Sequence, residues 1–471
     1  MSREISRSEM LVSLRRGSGV PLRLQLERTL RGAIQTGRLA SGTLLPSTRV
    51  LSSELGLSRG VVVHAYEQLV AEGYLCSRGG SSTYVAPRPT TSPSADPAVV
   101  AVSTPRYDLR PGRPDTSVFP RRAWLSALRR TLAMTPPASL DYPDARGALS
   151  ARGTLATYLN RSRATAAMPE QIVFCAGFAQ GMRLACEALK AHGVQRIAVE
   201  DPGHAYESAD VLASGLELVS VPVDESGMCV ERLACLKVGA VYVTPAHQYP
   251  TGTVLSPPRR AALLAWAEKE GGFVVEDDYD GEYRYDREPI GALQGLDSER
   301  VVYIGSASKT LAPALRIGWI LAPRCLIPHL MQAKVDADRG SPVIDQLAFA
   351  EFIEAGHLDR HLRRTRLLYS RRRACLASAL RTHLSGYPIR GIDAGLHLTL
   401  GLPRVADEGE IVDEAARRGV YVHALGSYRS HPKAGGPALL LGYCRLREKD
   451  INEGARILAD VVRQHAGARP P

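Results

Sequence analysis

The chain has 471 residues, 45% of them hydrophobic and 23% charged, and a formal net charge of +11. The length suits about three domain-sized units, the composition is that of an ordinary folded protein, and no apolar run reaches the ~18 residues of a membrane helix. Eight scattered cysteines, with no C-x-x-C pair and no Cys/His cluster at zinc spacing, give no metal site and point to reduced thiols in a cytoplasm. The polar first ten residues do not read as a secretory signal. The positive charge admits a polyanionic partner. Residues 1–86 concentrate it, with eleven arginines and no lysine against six acids.

Residues 21–37 read as a helix, with Leu22, Leu26, Leu30, Ala33 and Ile34 at helical spacing and Gly37 at the end. A short second helix follows at 47–55 with Ser47 as its cap. Gly56 makes a turn, and Ser58 caps a third helix running to Glu72. A short helix, a glycine turn and a helix opening with polar residues make a helix-turn-helix. Two β-prone runs, 74–76 and 83–85, flank a glycine-rich tip and read as a wing. The free N–H groups opening the third helix favour phosphate, and side chains there can reach base edges. Arg49 is placed for the DNA backbone, and Arg78 rides the wing tip toward a minor groove.

Residues 46–74 carry the pattern P-S-x-R-x-L-S-x-x-L-G-L-S-R-x-V-V-x-x-A-Y-x-x-L-x-x-E-G-Y. This segment resembles the winged-helix domain of the GntR regulators. The resemblance implies DNA contacts by Arg49, Ser58, Arg59, Val61, His64, Arg78 and Gly79. Gly60, Val61 and Val63 stand where many relatives carry polar residues, which weakens direct base readout and leaves the operator open.

Five prolines between Pro87 and Pro105, amid Ser and Thr, make a semi-extended spacer. Beyond it, short apolar runs alternate with helical stretches. Candidate strands lie at 172–175, 197–199, 218–221, 241–243, 273–275, 301–304 and 317–321, with a helix at 259–270 among them. Such alternation predicts a mainly parallel sheet with helices on both faces, whose ligands sit at the strands' carboxyl ends. Gly177, His204, residues 244–252, Asp277 and residues 306–309 fall there. A smaller remainder from about residue 341 has a helix at 345–354 and a strand at 396–400. The arginine run 360–373 reads as a solvated helix face that could add to a DNA-facing surface.

Lysine is scarce, seven residues against 52 arginines, and Lys309 ends the strand-and-turn run that begins at Val301. A strand-end lysine, two hydroxyls, Arg316 and the acidic run 276–278 could hold an aldehyde cofactor bearing a phosphate. Lysine forms the Schiff base, serine and arginine take the phosphate, and a carboxylate protonates the ring nitrogen.

The stretches 176–181, 199–203, 244–252, 276–280 and 305–309 resemble a fold-type-I pyridoxal-phosphate enzyme of the class I aminotransferases. The T-P-x-H-Q-Y-P-T-G and E-D-D-Y-D variants resemble the MocR subfamily, in which a GntR winged helix is fused to this domain. The implied fold class is α/β: a winged helix plus an aminotransferase-like domain with a mainly parallel sheet and a smaller C-terminal α+β subdomain. The implied domains are 17–86, a linker at 87–106, and 107–471, divided near 150–335 and 340–471. By the same resemblance pyridoxal 5'-phosphate bonds Lys309. Asp277 meets the ring nitrogen, Tyr279 the phenolic oxygen, and Ser306, Arg316, Gly177 and Phe178 the phosphate. His204 takes the stacking position, Tyr249 joins the cofactor site, and Tyr142 reaches the phosphate of a neighbouring subunit. Three departures matter. His204 replaces an aromatic residue, Phe178 and Ala179 replace a polar pair, and residues 435–438 lack the arginine that anchors a substrate α-carboxylate; Arg429 and Arg445 lie off the pattern.

The expected function is a cytoplasmic transcriptional regulator. Its partners are double-stranded DNA with two half-sites, a second copy of the chain with domain exchange left open, and pyridoxal phosphate or an amine as effector. The runner-up is an active aminotransferase tethered to DNA, which the missing carboxylate arginine disfavours. A third reading makes the large domain a dimerising scaffold.

Overall fold

The computed structural model describes residues 14–78, 82–87, 105–203, 211–286, 289–431 and 435–466. Gly79, His204, the linker from 88 to 104 and the Arg78 side chain fall outside the described residues. By internal contacts the chain divides into two units, Met1–Ser103 and Thr104–Pro471.

In the first unit, helices α1 (Leu22–Gln35), α2 (Thr48–Leu55) and α3 (Arg59–Ala71) precede an antiparallel hairpin, β1 (Leu75–Arg78) and β2 (Ser82–Val85). The helical spacing read in α1 buries Leu26, Leu30, Ala33 and Ile34 against Leu51, Val62, Ala65 and Leu69. Ser47 caps α2, accepting from the Val50 N–H at 3.3 Å. Gly56 closes that helix at φ +60°, a left-handed conformation suited to glycine. Ser58 stands at the N-cap of α3 but makes no capping side-chain bond, so its hydroxyl is not committed to the helix. The Tyr66 hydroxyl donates to the Pro46 carbonyl at 3.1 Å and ties α3 to the segment entering α2.

The second unit opens with β3 (Tyr107–Asp108), α4 (Arg121–Met134) and α5 (Leu149–Arg163). Its main sheet is built from β4 (Ile172–Cys175), β5 (Arg196–Asp201), β6 (Glu217–Asp224), β7 (Gly227–Met228), β8 (Ala240–Val243), β9 (Phe273–Asp278), β10 (Val301–Ser306) and β11 (Gly318–Leu321). The spatial order is β4-β11-β10-β9-β8-β5-β6-β7. β6, β5, β8, β9 and β10 run parallel, and β11 and β7 are antiparallel to their neighbours. Helices α6 (Phe178–Ala191) and α7 (Pro257–Glu270) alternate with these strands. Near-continuous burial along β4, β8, β9 and β10 is what a sheet covered on both faces requires.

After α8 (Ile327–Asp338) and α9 (Val343–Glu354), the 27-residue helix α10 (His357–His383) leads to a four-stranded antiparallel sheet. That sheet contains β12 (Ile389–Arg390), β13 (His397–Gly401), β15 (His423–Ala424) and β16 (Ala438–Gly442). β14 (Val420–Tyr421) pairs in parallel with β3, so the start of the unit is stitched to its end. Helices α11 (Glu408–Arg417) and α12 (Glu448–Ala466) complete it. Strands β7, β12, β14 and β15, each two residues long, carry too little periodicity to be read in advance. The arginine run in α10 is not uniformly solvated, because Arg372 is buried and paired with Asp115 at 2.8 Å. Among the described residues, no helix is long and apolar enough to cross a membrane.

Candidate functional site

In the first unit, Arg49, Ser58, Arg59 and His64 are exposed around the start of α3, and Val61 is half-buried. The His64 Nδ1 lies 3.2 Å from Glu67. No acidic residue occupies the first turn of α3, so its N–H groups and Arg59 present positive potential.

In the second unit the chemistry gathers at the carboxyl ends of parallel strands. The β9–β10 register sets Asp277 opposite Ile304 and Asp278 opposite Gly305, which carries Asp277 and the Ser306–Lys309 turn to one edge. The Lys309 Nζ donates to the Gly112 carbonyl at 2.7 Å. Burial pulls its amine below the usual lysine range, against the attraction of Asp277 and Asp280. A lysine held toward the free amine is the nucleophilic form.

Asp277 Oδ2 accepts from the Tyr242 hydroxyl at 2.9 Å, while the buried Oδ1 has no partner. Burial pushes this carboxyl well above its usual range; the Tyr242 bond opposes the shift, and Asp278 and Asp280 add to it. A buried carboxylate oxygen left unpaired costs about 1–3 kcal/mol or more unless a donor faces it. The orphaned atom therefore suits a protonated ring nitrogen.

A cradle lies across the sheet. Gly177 (φ +86°) precedes α6, and the Arg316 guanidinium packs over it and donates to the Ala176 carbonyl. A Cβ at Gly177 would sit 3.1 Å from that guanidinium, and one at Gly318 would sit 2.7 Å from the Gly177 Cα. The two glycines thus let Arg316, the start of α6 and β11 approach one another closely, beside Ser306, the β10 residue paired with Gly318. Free N–H groups with an arginine and a hydroxyl are a donor set for phosphate. Phe178 opens α6 with its ring 6.4 Å from that of Tyr242. Gln180 commits its amide to the fold: Oε1 accepts from the Ala176 N–H and Nε2 donates to Asp338, both at 2.7 Å.

The ring side of the site holds residues not picked out individually from the sequence. His247 Nδ1 lies 2.9 Å from Asp280 Oδ2 and 3.0 Å from the Tyr279 hydroxyl, and its buried Nε2 has no partner. The ring of His397, on β13, lies 5.0 Å from that of His247. Tyr249 sits edge-on to Tyr279, and its hydroxyl donates to Tyr428 at 3.0 Å. The H of T-P-x-H-Q and the last D of E-D-D-Y-D are the signals for His247 and Asp280. Nothing in the sequence announces that the two meet.

Arg445 is held by Asp108 at 2.9 Å, so it is tied into the domain. Arg429 donates to the Gly436 carbonyl at 2.8 Å and lines a cleft of about 970 Å³ with Thr251, Thr399 and Pro437. Tyr142 is 90% exposed.

Glu200, at the end of β5, is buried and accepts from the Thr244 N–H (3.1 Å) and hydroxyl (2.6 Å) and from Gln248 (3.3 Å). Burial raises its carboxyl to about 7, against those hydrogen bonds. The native state then binds the proton more tightly than the unfolded chain, so stability falls as pH rises from about 4.5 to about 7. Glu200→Gln is expected to remove about 3 kcal/mol of the stability lost between pH 5 and pH 8. Urea unfolding of both proteins at the two pH values measures the difference.

Residues 22–85 match the bacterial regulatory proteins of the gntR family, and residues 112–436 match aminotransferase class I and II. The rhizopine catabolism regulatory protein MocR of Rhizobium meliloti is 32% identical over 98% of each chain. The chain belongs to the MocR-type regulators. This MocR-type chain is also 36% identical to PdxR of Corynebacterium glutamicum, a pyridoxine biosynthesis transcriptional regulator, over 86% of its own length and 88% of PdxR. The kynurenine aminotransferase of Pyrococcus horikoshii, solved in complex with PMP, superposes with a TM-score of 0.71 at 25% identity, over 78% of this chain and 93% of that one. The MocR-type chain is therefore a helix-turn-helix transcriptional regulator with a DNA-binding unit and an aminotransferase-like domain.

Proposed function

We propose that this regulator holds pyridoxal phosphate at Lys309 and converts occupancy of that site into a change in DNA binding. The observation that carries the reading is the buried, unpartnered Asp277 Oδ1 at the same strand edge as a lysine held toward its free amine. Bound there, pyridoxal phosphate supplies an aldehyde that condenses with amines. Lys309 provides the amine, Asp277 keeps the ring nitrogen protonated, and Tyr279, oriented by His247, faces the phenolic side. Ser306, Arg316 and the N–H groups after Gly177 take the phosphate, while Tyr249 closes the ring side. His204 is assigned the stacking position by resemblance.

In this reading residues 17–86 form the DNA-binding domain, 87–106 the linker and 107–471 the sensing domain. Arg49, Ser58, Arg59, Val61, His64, Arg78 and Gly79 contact DNA. The functional form is a homodimer on two half-sites. An exposed apolar set on and after α4, Leu125, Leu132, Met134, Leu140 and Tyr142, supports a second copy as the partner. Tyr142 then reaches the neighbour's phosphate. A ligand shifts such an equilibrium only by its differential affinity for the two arrangements. The name of PdxR supports pyridoxal phosphate itself as the effector.

The test is a gel shift of the full chain on its own upstream DNA, with and without pyridoxal phosphate, alongside a visible spectrum. The reading expects a cofactor band and a shift that depends on it. A band with no DNA shift under either condition would sink it.

A further inference from the structure

Helix α10 carries eight arginines against a single acid, Asp359. Three arginines serve the fold. Arg366 donates to the Glu282 carbonyl at 2.8 Å, Arg372 pairs with Asp115, and Arg373 donates to the Gly391 carbonyl at 3.2 Å. Asp359 is itself engaged by Arg161 at 2.9 Å. A fourth, Arg360, donates to the Ala355 carbonyl at 2.8 Å yet is exposed, as are Arg363, Arg364, Arg371 and Arg381. At 3.6 residues per turn they fall within an arc of about 100°, and the 21 steps from first to last rise about 30 Å. The rest of that arc is Leu367, Ala374, Ser378 and Thr382, without an acid.

This face is costly for the helix alone. Arg360 repels Arg363 and Arg364 at i,i+3 and i,i+4, where like charges destabilise. None of the five has an ion-pair partner among the described residues that would relieve this. A row of guanidinium groups about 30 Å long matches roughly one turn of a DNA duplex, ~34 Å, and arginine is the side chain best shaped for phosphate oxygens.

We propose that this exposed face of α10 is a second DNA-contacting surface, binding the phosphates of duplex beyond the winged-helix site without reading sequence. It rests on the reading that the winged helix holds DNA. It assigns the aminotransferase-like unit a share of the affinity, in the part of the binding energy that salt weakens most.

The experiment compares full-length wild type with Arg363→Gln/Arg364→Gln/Arg371→Gln. A control removes the same charge elsewhere on the unit, with Arg232→Gln/Arg324→Gln/Arg339→Gln. Kd is measured from 50 to 200 mM salt, on operator duplex with long flanks and on a duplex trimmed to the winged-helix site. Three phosphate contacts contribute about 2.7 to the log–log slope, so wild type should lose about 40-fold more affinity over this range than the α10 variant on long duplex. On trimmed duplex the two should agree, and the control should follow wild type throughout. Equal slopes for wild type and the α10 variant on long duplex would overturn the inference while leaving DNA binding by the winged helix intact. Absence of binding by wild type on both duplexes would instead overturn the underlying reading.

Discussion

Lys309→Ala is expected to fold, to bind no cofactor that survives gel filtration, and to show no visible band when pyridoxal phosphate is added. The variant removes the one amine placed at the Asp277 edge among the described residues, while leaving the Arg316–Gly177 cradle and Asp277 untouched. Phosphate and ring contacts remain, so binding should persist only weakly, by at least about 100-fold or ~2.7 kcal/mol. Linkage gives a second readout. A ligand at 100 times its Kd stabilises the native state by about 2.7 kcal/mol, so added cofactor should raise the melting temperature of wild type and not of the variant. Without cofactor the two should melt within about 1–2 kcal/mol of each other, because the bond lost is one donor to the Gly112 carbonyl. A variant that still melts higher with the cofactor and keeps its colour would show that another amine carries the aldehyde. The same variant in the gel shift separates cofactor-dependent from cofactor-independent DNA binding.

Arg163→Met should destabilise the second unit by about 3–5 kcal/mol, the cost of leaving a buried charge uncompensated. Arg163 lies at the end of α5 and donates to Asp278 through Nε (2.5 Å) and Nη2 (2.9 Å), with both side chains 1% exposed. Its Nη1 also reaches the Gly281 carbonyl at 3.1 Å. Among the described residues Tyr303 is the other side-chain donor to Asp278, at 2.7 Å. With Arg163 gone, one phenol hydrogen bond must hold a buried carboxylate. Adding Asp278→Asn should recover part of the loss, since groups in one network are not additive. Chemical unfolding of the two single variants and the double variant measures the coupling. If Arg163→Met costs under 1 kcal/mol, the pair does not fasten α5 to β9. Asp278 adjoins Asp277, so the variant should also weaken cofactor retention even where the protein stays folded.

Much of the second unit was legible because its strands are covered on both faces. β4, β8, β9 and β10 appear as short apolar runs with small or polar residues straight after them, and a parallel sheet places those residues at one rim. The first unit was legible for a different reason. The spacing of Leu26, Leu30 and Ile34 encodes one helix face, and Ser47 and Gly56 mark where α2 starts and stops.

What stayed hidden depends on approach between distant segments. The Asp280–His247 contact joins positions 33 apart, and the Arg372–Asp115 pair joins positions 257 apart. No period in the chain signals either. Gln180 likewise reads as one more helical residue until its side chain folds back to the Ala176 N–H.

By its residues alone the chain determined that a lysine, a carboxylate, a serine and an arginine stand at strand ends beyond a winged helix, because local periodicity and turn chemistry are local facts. Tertiary structure decided their state. Burial pulled Lys309 toward its free amine and left one oxygen of Asp277 without a partner. It also divided the arginines of α10 into those the fold consumes and those it leaves facing outward. Desolvation and pairing depend on what packs against each group, and only the assembled sheet and helices supply those neighbours.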